Sequence, residues 1–142
     1  SSPADAPGPI PGHTPELSGS TDVTRWKGTI HVPDLSVCSE GWEECRTRSR
    51  AAADAEGKLL AGFMGTGIFE QCHFLMGFED TLTALYEHPD EMHELIETIT
   101  QYRLDYVRRL IDGLQPDVIF SHDDWGTKNA LFMKPDMLRD FF

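Results

Sequence analysis

Cysteine, positive charge and long apolar runs are all scarce in this sequence. Only three cysteines, Cys38, Cys45 and Cys72, stand among 142 residues. They are odd in number and contain no Cys-x-x-Cys pair. Such a set makes no disulfide framework, and without further ligands nearby it makes no zinc site. A reduced, cytoplasmic setting is therefore expected. Lys and Arg number 12 against 24 Asp and Glu, a formal net charge of −12. That balance excludes nucleic acid or an anionic membrane surface as the main partner, because phosphates must be met by Lys and Arg. No apolar stretch approaches the roughly 20 residues that span a bilayer. Nor does a basic segment followed by an apolar one mark a secretory signal at the N-terminus. The chain starts without Met and stops at Arg139-Asp140-Phe141-Phe142, in the opening turns of a helix, so a piece of a longer protein is expected.

Proline, by contrast, is concentrated. Five of the nine prolines fall in residues 1–20. Proline fixes φ and lacks an N–H, so this stretch joins no ladder and reads as an extended arm or as disorder. The following DVTRWKGTIHVPDLS continues an extended lead-in to residue 35, anchored by Trp26 and by a turn at Val32-Pro33-Asp34-Leu35. A helix is predicted over 39–56, with Ser39 as its N-cap, Glu43 in its first turn, and Trp42, Cys45 and Ala51–Ala53 toward a core.

From Lys58 the pattern alternates between strand and helix. LLAGFMG (59–65) is short, apolar and contains glycines, as in a buried parallel strand. GIFEQCHFLMG (67–77) reads as a short helix closed by Gly77, and FEDTLTALYEHP (78–89) as a second one. A long helix over 89–113 has Pro89 in its first turn. Its buried stripe comprises Met92, Leu95, Ile96, Ile99, Tyr102, Tyr106 and Leu110. DVIFSHDD (117–124) is a second strand, and Lys134-Pro135-Asp136 opens another helix. A strand–crossover–strand unit gives right-handed parallel pairing, and α/β folds bind ligands at the carboxyl ends of parallel strands. The loops MGTGIFEQCH and HDDWGTKN leave those ends. With strands about 4.8 Å apart, the two loops share one rim.

Two adjacent carboxylates, Asp123 and Asp124, therefore stand beside His122 where an apolar strand meets solvent. Alternation sends Ile119, Ser121 and Asp123 to one face, and Val118, Phe120, His122 and Asp124 to the other. One carboxylate can then enter a pocket while the other anchors backbone. Such a pair suits proton transfer, or binding of a cationic or hydroxylated ligand. The plain alternative is a turn in which aspartates accept backbone N–H bonds and Trp125 packs. Glu70 and His73, three apart, share a helical face; Glu-x-x-His is a metal-ligand spacing, but one copy also fits a structural histidine. His88 and His93 flank a helix start and read as surface residues. Lys128 reads as a solvated lysine or as a contact for an anion or the aspartate pair.

Several of these segments carry a resemblance. Gly65 through Gly77 after a strand, Leu-Tyr-Glu-His-Pro-Asp at 85–90, Asp-Asp-Trp-Gly-Thr at 123–127 and Lys-Pro-Asp-Met-Leu-Arg at 134–139 resemble the uroporphyrinogen decarboxylase superfamily. The lead-in of Asp22 to Trp26 followed by Pro33-Asp34-Leu35 points to its corrinoid-dependent methyltransferase-like branch. The resemblance implies an α/β fold, a partial (β/α)8 TIM barrel with parallel strands and the extended Pro-rich N-terminal arm. Residues 1–35 are then the lead-in, and 36–142 a central portion truncated at both ends. It further implies methyl transfer between a small-molecule donor or acceptor and a corrinoid (cobalamin) on a partner protein. The decarboxylases' tyrosine position holds His73 here and their serine position holds Asp124, which favours the methyltransferase branch. On this view Asp123, Asp124 and His122 are catalytic, and Gly65, Glu70, His73, Trp125 and Lys128 bind substrate. Zinc in such enzymes uses a His-x-Cys pair that this segment does not contain, so no metal ligand is expected within it. The alternatives are a uroporphyrinogen-type decarboxylase and a non-catalytic barrel fragment; neither nucleic acid nor a membrane is an expected partner.

Overall fold

The computed structural model describes residues 22–37 and 40–142. The Pro-rich stretch 1–20, Cys38 and Ser39 lie outside the described residues. The expected extended lead-in is instead partly helical. A 3-10 turn at Val23–Arg25 leads into a short helix α1 (Trp26–Thr29), and the Asp22 carboxylate caps the turn by accepting the Thr24 N–H at 2.9 Å. Val23 and Trp26 are both buried, so the lead-in is pinned to the body as Trp26 led us to expect.

Helix α2 (Trp42–Glu56) starts three residues later than predicted, after Gly41, and buries none of its residues. Its ragged apolar pattern gives no stripe to bury. The half-buried Trp42 ring packs on Gly113, and Arg46 Nη1 donates to the Gly113 carbonyl at 3.4 Å and Arg50 Nη2 to the Gln115 carbonyl at 3.0 Å. Strand β1 (Ala61–Met64) and strand β2 (Val118–Ser121) pair in parallel, with Gly62 opposite Ile119 and Phe63 opposite Phe120. Between them run α3 (Ile68–Met76), α4 (Phe78–Glu87) and α5 (Pro89–Leu114), and α6 (Pro135–Phe141) follows β2. The strands are shorter than predicted, and the mixed helix–strand order with a small parallel sheet stands.

The core lies among the helices. Phe69, Cys72, Met76, Met92, Leu95 and Thr81 are sealed from solvent. The α5 stripe holds for Met92, Leu95, Ile96, Ile99 and Leu110, whereas Tyr102 and Tyr106 are only half-buried. Thr81 satisfies its buried hydroxyl by donating to the Gly77 carbonyl at 2.7 Å. Phe69 meets Phe78, Phe132 and Phe142 at centroid distances of 6.1, 5.9 and 5.8 Å, which stitches α3, α4, the loop after β2 and the α6 end together.

The sheet has one covered and one bare face. On the covered face a Cβ at Gly62 would stand 2.8 Å from Ile119 Cδ1 and 3.2 Å from Leu110 Cδ2, so only glycine lets α5 lie this close to the strand. The other face corrects the expectation of a buried strand. Leu59, Phe63, Val118 and Phe120 share the alternate parity, and their exposures run from 43% to 74%. Phe63 and Phe120 stack on each other at 5.7 Å. With two strands and helices on one side among the described residues, these residues leave half of each apolar strand uncovered. No helix among the described residues is long and apolar enough to cross a membrane.

Candidate functional site

Both polar loops do leave the carboxyl ends of the two strands and meet there. After β1 the chain turns through Gly65-Thr66-Gly67 into α3, with Thr66 at φ 52°, a left-handed conformation in a β-branched residue. After β2 it runs through His122, Asp123 and Asp124. The Asp123 carboxylate reaches across and accepts the Phe69 N–H at 2.8 Å and the Glu70 N–H at 3.0 Å. It also accepts the N–H of Asp124 at 3.1 Å. A helix leaves its first N–H groups without intrahelical partners and carries partial positive charge there, so a carboxylate at this point satisfies both needs.

Gly67 makes that docking possible. A Cβ on it would fall 2.0 Å from Asp123 Cγ, well inside contact distance. Glu70 closes the same turn from within, its Oε2 accepting the Gly67 N–H at 3.0 Å. The same Oε2 lies 3.5 Å from His122 Nδ1, an ion pair when the imidazole is protonated. The Glu70 side chain is only 15% exposed, against 54% for His122, so the pair spans from the helix start to open solvent.

The two aspartates thus separate as alternation requires. Asp123 shares the covered face of Ile119 and spends its carboxylate on backbone; it anchors the loop rather than facing a ligand. Asp124 is exposed, and its Oδ1 accepts only the Gly126 N–H, at 3.3 Å. Beyond it, Trp125 to Phe132 folds back on itself. The Phe132 N–H donates to the Trp125 carbonyl at 2.9 Å, and Gly126 bridges Leu131. Thr127 Oγ1 accepts from Asn129 and Ala130 at 3.2 Å each, which leaves Lys128 exposed at the tip. Trp125 is 38% exposed.

His73 departs from its expected place. Its ring packs on Phe69, Phe74 and Phe78 at 5.4, 4.7 and 5.8 Å, an aromatic setting on the α3 flank rather than a contact with the acidic loop. Among the described residues no three His, Cys, Asp or Glu side chains converge as a metal set would, so Glu70-x-x-His73 gains no further ligand. Cys72 is no nucleophile either: burial, helped by the Asp123 charge, pushes its thiol up to about 12.

Arg103 belongs to this site and was not foreseen. From α5 it sends Nη1 to the Gly65 carbonyl at 2.9 Å and Nη2 to Gln71 Oε1 at 3.1 Å. Burial pulls its guanidinium below the usual range, opposed by Tyr102, Tyr106, Asp123 and Glu70. Its sequence signal was slight: a cation one position from the apolar stripe of an otherwise exposed, charged helix.

The comparisons with known proteins point one way. The family model described as "Uroporphyrinogen decarboxylase (URO-D)" matches residues 42–142. The uroporphyrinogen decarboxylase of Neisseria meningitidis serogroup B is 29% identical over 116 residues, covering 78% of this chain and 30% of that protein. That of N. meningitidis serogroup A is 31% identical over 103 residues, covering 68% and 28%. The N. gonorrhoeae protein is 29% identical over 129 residues, covering 87% and 34%. The chain therefore spans about a third or less of these curated relatives. No solved structure matches it.

Proposed function

The chain belongs to the uroporphyrinogen decarboxylase family, and on that premise we propose that it carries part of the active-site rim of a methyltransferase. The enzyme moves a methyl group between a small substrate and a corrinoid held by a separate protein, in a cytoplasmic setting. The observation behind this reading is that Glu70, His122 and Asp124 gather at the carboxyl ends of two parallel strands, with His122 and Asp124 open to solvent. The bare face of Leu59, Phe63, Val118 and Phe120 supports a (β/α)8 barrel in the whole protein, whose further strands cover it.

In this mechanism His122, paired with Glu70, is the acid–base group. When a methyl group leaves an ether or amine donor, the departing oxygen or nitrogen gains a proton, which protonated His122 delivers. Asp124 accepts a hydrogen bond from the substrate or offsets its positive charge, and fixes its orientation. Trp125 and Lys128 flank it from the folded-back loop, and the Gly65 turn forms the opposite wall. Asp123 holds both loops in register, and His73 stands outside the acid–base set. The corrinoid supplies the carrier for the methyl group; no described residue is assigned to hold it, and zinc is assigned to none of them.

Decarboxylation is the second reading, favoured by the relatives being uroporphyrinogen decarboxylases. Against it, an acidic rim is a poor match for a substrate bearing carboxylates. Asp124→Asn and His122→Gln in the full-length protein test the proposal by methyl transfer to cob(I)alamin. Each substitution is expected to lower turnover by about a hundredfold. Unchanged turnover in both removes the roles proposed for Asp124 and His122, and carbon dioxide release from uroporphyrinogen establishes the second reading.

A further inference from the structure

We propose that Arg103 is the positioning residue of this rim: from α5 it ties the end of β1 to the Gln71 side chain within α3, and so sets how Glu70 meets His122. The geometry is that of a clamp. Nη1 holds the carbonyl of Gly65 where β1 ends, and Nη2 holds the Gln71 side chain one residue past Glu70. Between these two points lie Thr66 in its left-handed conformation and Gly67 under the Asp123 carboxylate. A fork of two donors in one rigid plane fixes two acceptors relative to each other, which the single ammonium of a lysine does not do.

The clamp also supplies charge. Glu70 from α3 and Asp123 from the β2 loop both act electrostatically on Arg103, as do Tyr102 and Tyr106 on its own helix. The Arg103 Nε–H is buried and has no hydrogen-bond partner. The two Nη bonds hold the guanidinium in this place.

The inference rests on the roles proposed for Glu70 and His122, and its test separates the two claims. In the full-length protein, Arg103→Gln removes the charge and one arm of the fork, whereas Arg103→Lys keeps the charge and loses the fork. Arg103→Gln is expected to shift the NMR resonances of the His122 ring, because Glu70 is no longer held where it meets that ring. It also lowers kcat for methyl transfer about tenfold or more, with a smaller change in KM. Arg103→Lys, which also loses the fork, is expected to shift the His122 ring resonances as well and to lower kcat. A folded Arg103→Gln protein with unchanged His122 resonances overturns the inference, as does a loss of thermal stability alone. If Arg103→Gln does not fold, full kcat in Arg103→Lys overturns it. Should the unaltered protein transfer no methyl group, the methyl-transfer reading fails while the His122 resonances still decide the role of Arg103.

Discussion

Strand β2 is fastened at both ends by an aspartate, and the two fastenings differ. At the amino end Asp117 Oδ2 accepts the Leu60 N–H at 2.8 Å and Arg50 Nη1 at 2.7 Å. At the carboxyl end Asp123 accepts the Phe69 and Glu70 N–H groups and no side chain of its own. One joins strand to strand with an exposed ion pair; the other joins a strand to the start of a helix, half-buried. The same side chain is a surface clip just before the strand and a helix cap just after it. Parallel α/β architecture explains the asymmetry: helix N-termini and open loops gather at the carboxyl ends of strands, while the amino ends only close the turn.

The carboxyl-end joint should be the more costly to break. Gly67→Ala puts a methyl group where Asp123 Cγ sits, so the carboxylate must leave the α3 start. The combined overpacking and lost cap are expected to cost about 3 kcal/mol in denaturant unfolding of the full-length protein. A loss under about 0.5 kcal/mol would mean the loops are not docked as described.

Asp123→Ala removes the cap without the clash and is expected to cost about 2 kcal/mol. It should also fray α3 and expose Cys72, whose thiol is inert in the closed fold. Labelling by a thiol reagent, read by peptide mass, should therefore quicken at Cys72 in Asp123→Ala and stay slow in Asp117→Asn. Equal labelling in the two variants would erase the distinction between the ends.

The smallest effect belongs to Asp117. The hydrogen bond from Arg50, and then that from the Leu60 N–H, hold its carboxyl below the ordinary 3.8. A depressed folded-state value adds stability above the unfolded pKa, and that stability is lost as pH falls through the folded value. Asp117→Asn should thus unfold slightly earlier than the parent at neutral pH, with the gap closing below about pH 4. Because the pair is exposed, added salt should narrow the gap as well. A gap that persisted to the lowest pH at which the parent stays folded would mean that the charge is not the part that matters.

Much of the fold could be read along the chain. Pro89 at the first helical turn, Gly77 between two helices and the 92–110 stripe marked α3, α4 and α5 to within a residue or two, because capping and periodicity are local properties. Helix α2 was misplaced at its start, since its sequence buries nothing and its contacts to Gly113, Gln115 and Asp117 are distant along the chain. The site divides in the same way. The meeting of the two loops followed from strand order, and the opposite directions of Asp123 and Asp124 from alternation. His73 was expected at the rim, but the aromatic rings of Phe69, Phe74 and Phe78 took it.

By itself the sequence determined that two apolar strands separated by helices would pair in parallel and bring HDDWG beside MGTGIFEQCH. Period-two and period-3.6 patterns, together with the handedness of crossovers, leave little else. Only the tertiary structure decided which carboxylate is committed. Asp123 is taken by the N–H groups of a helix start more than fifty residues earlier, through a gap that Gly67 keeps open. It also decided that Arg103, one more cation on a charged helix in the sequence, reaches the Gly65 carbonyl and sits behind the site. Hydrogen-bond donors and buried charges find their partners through space, and no local pattern encodes that distance.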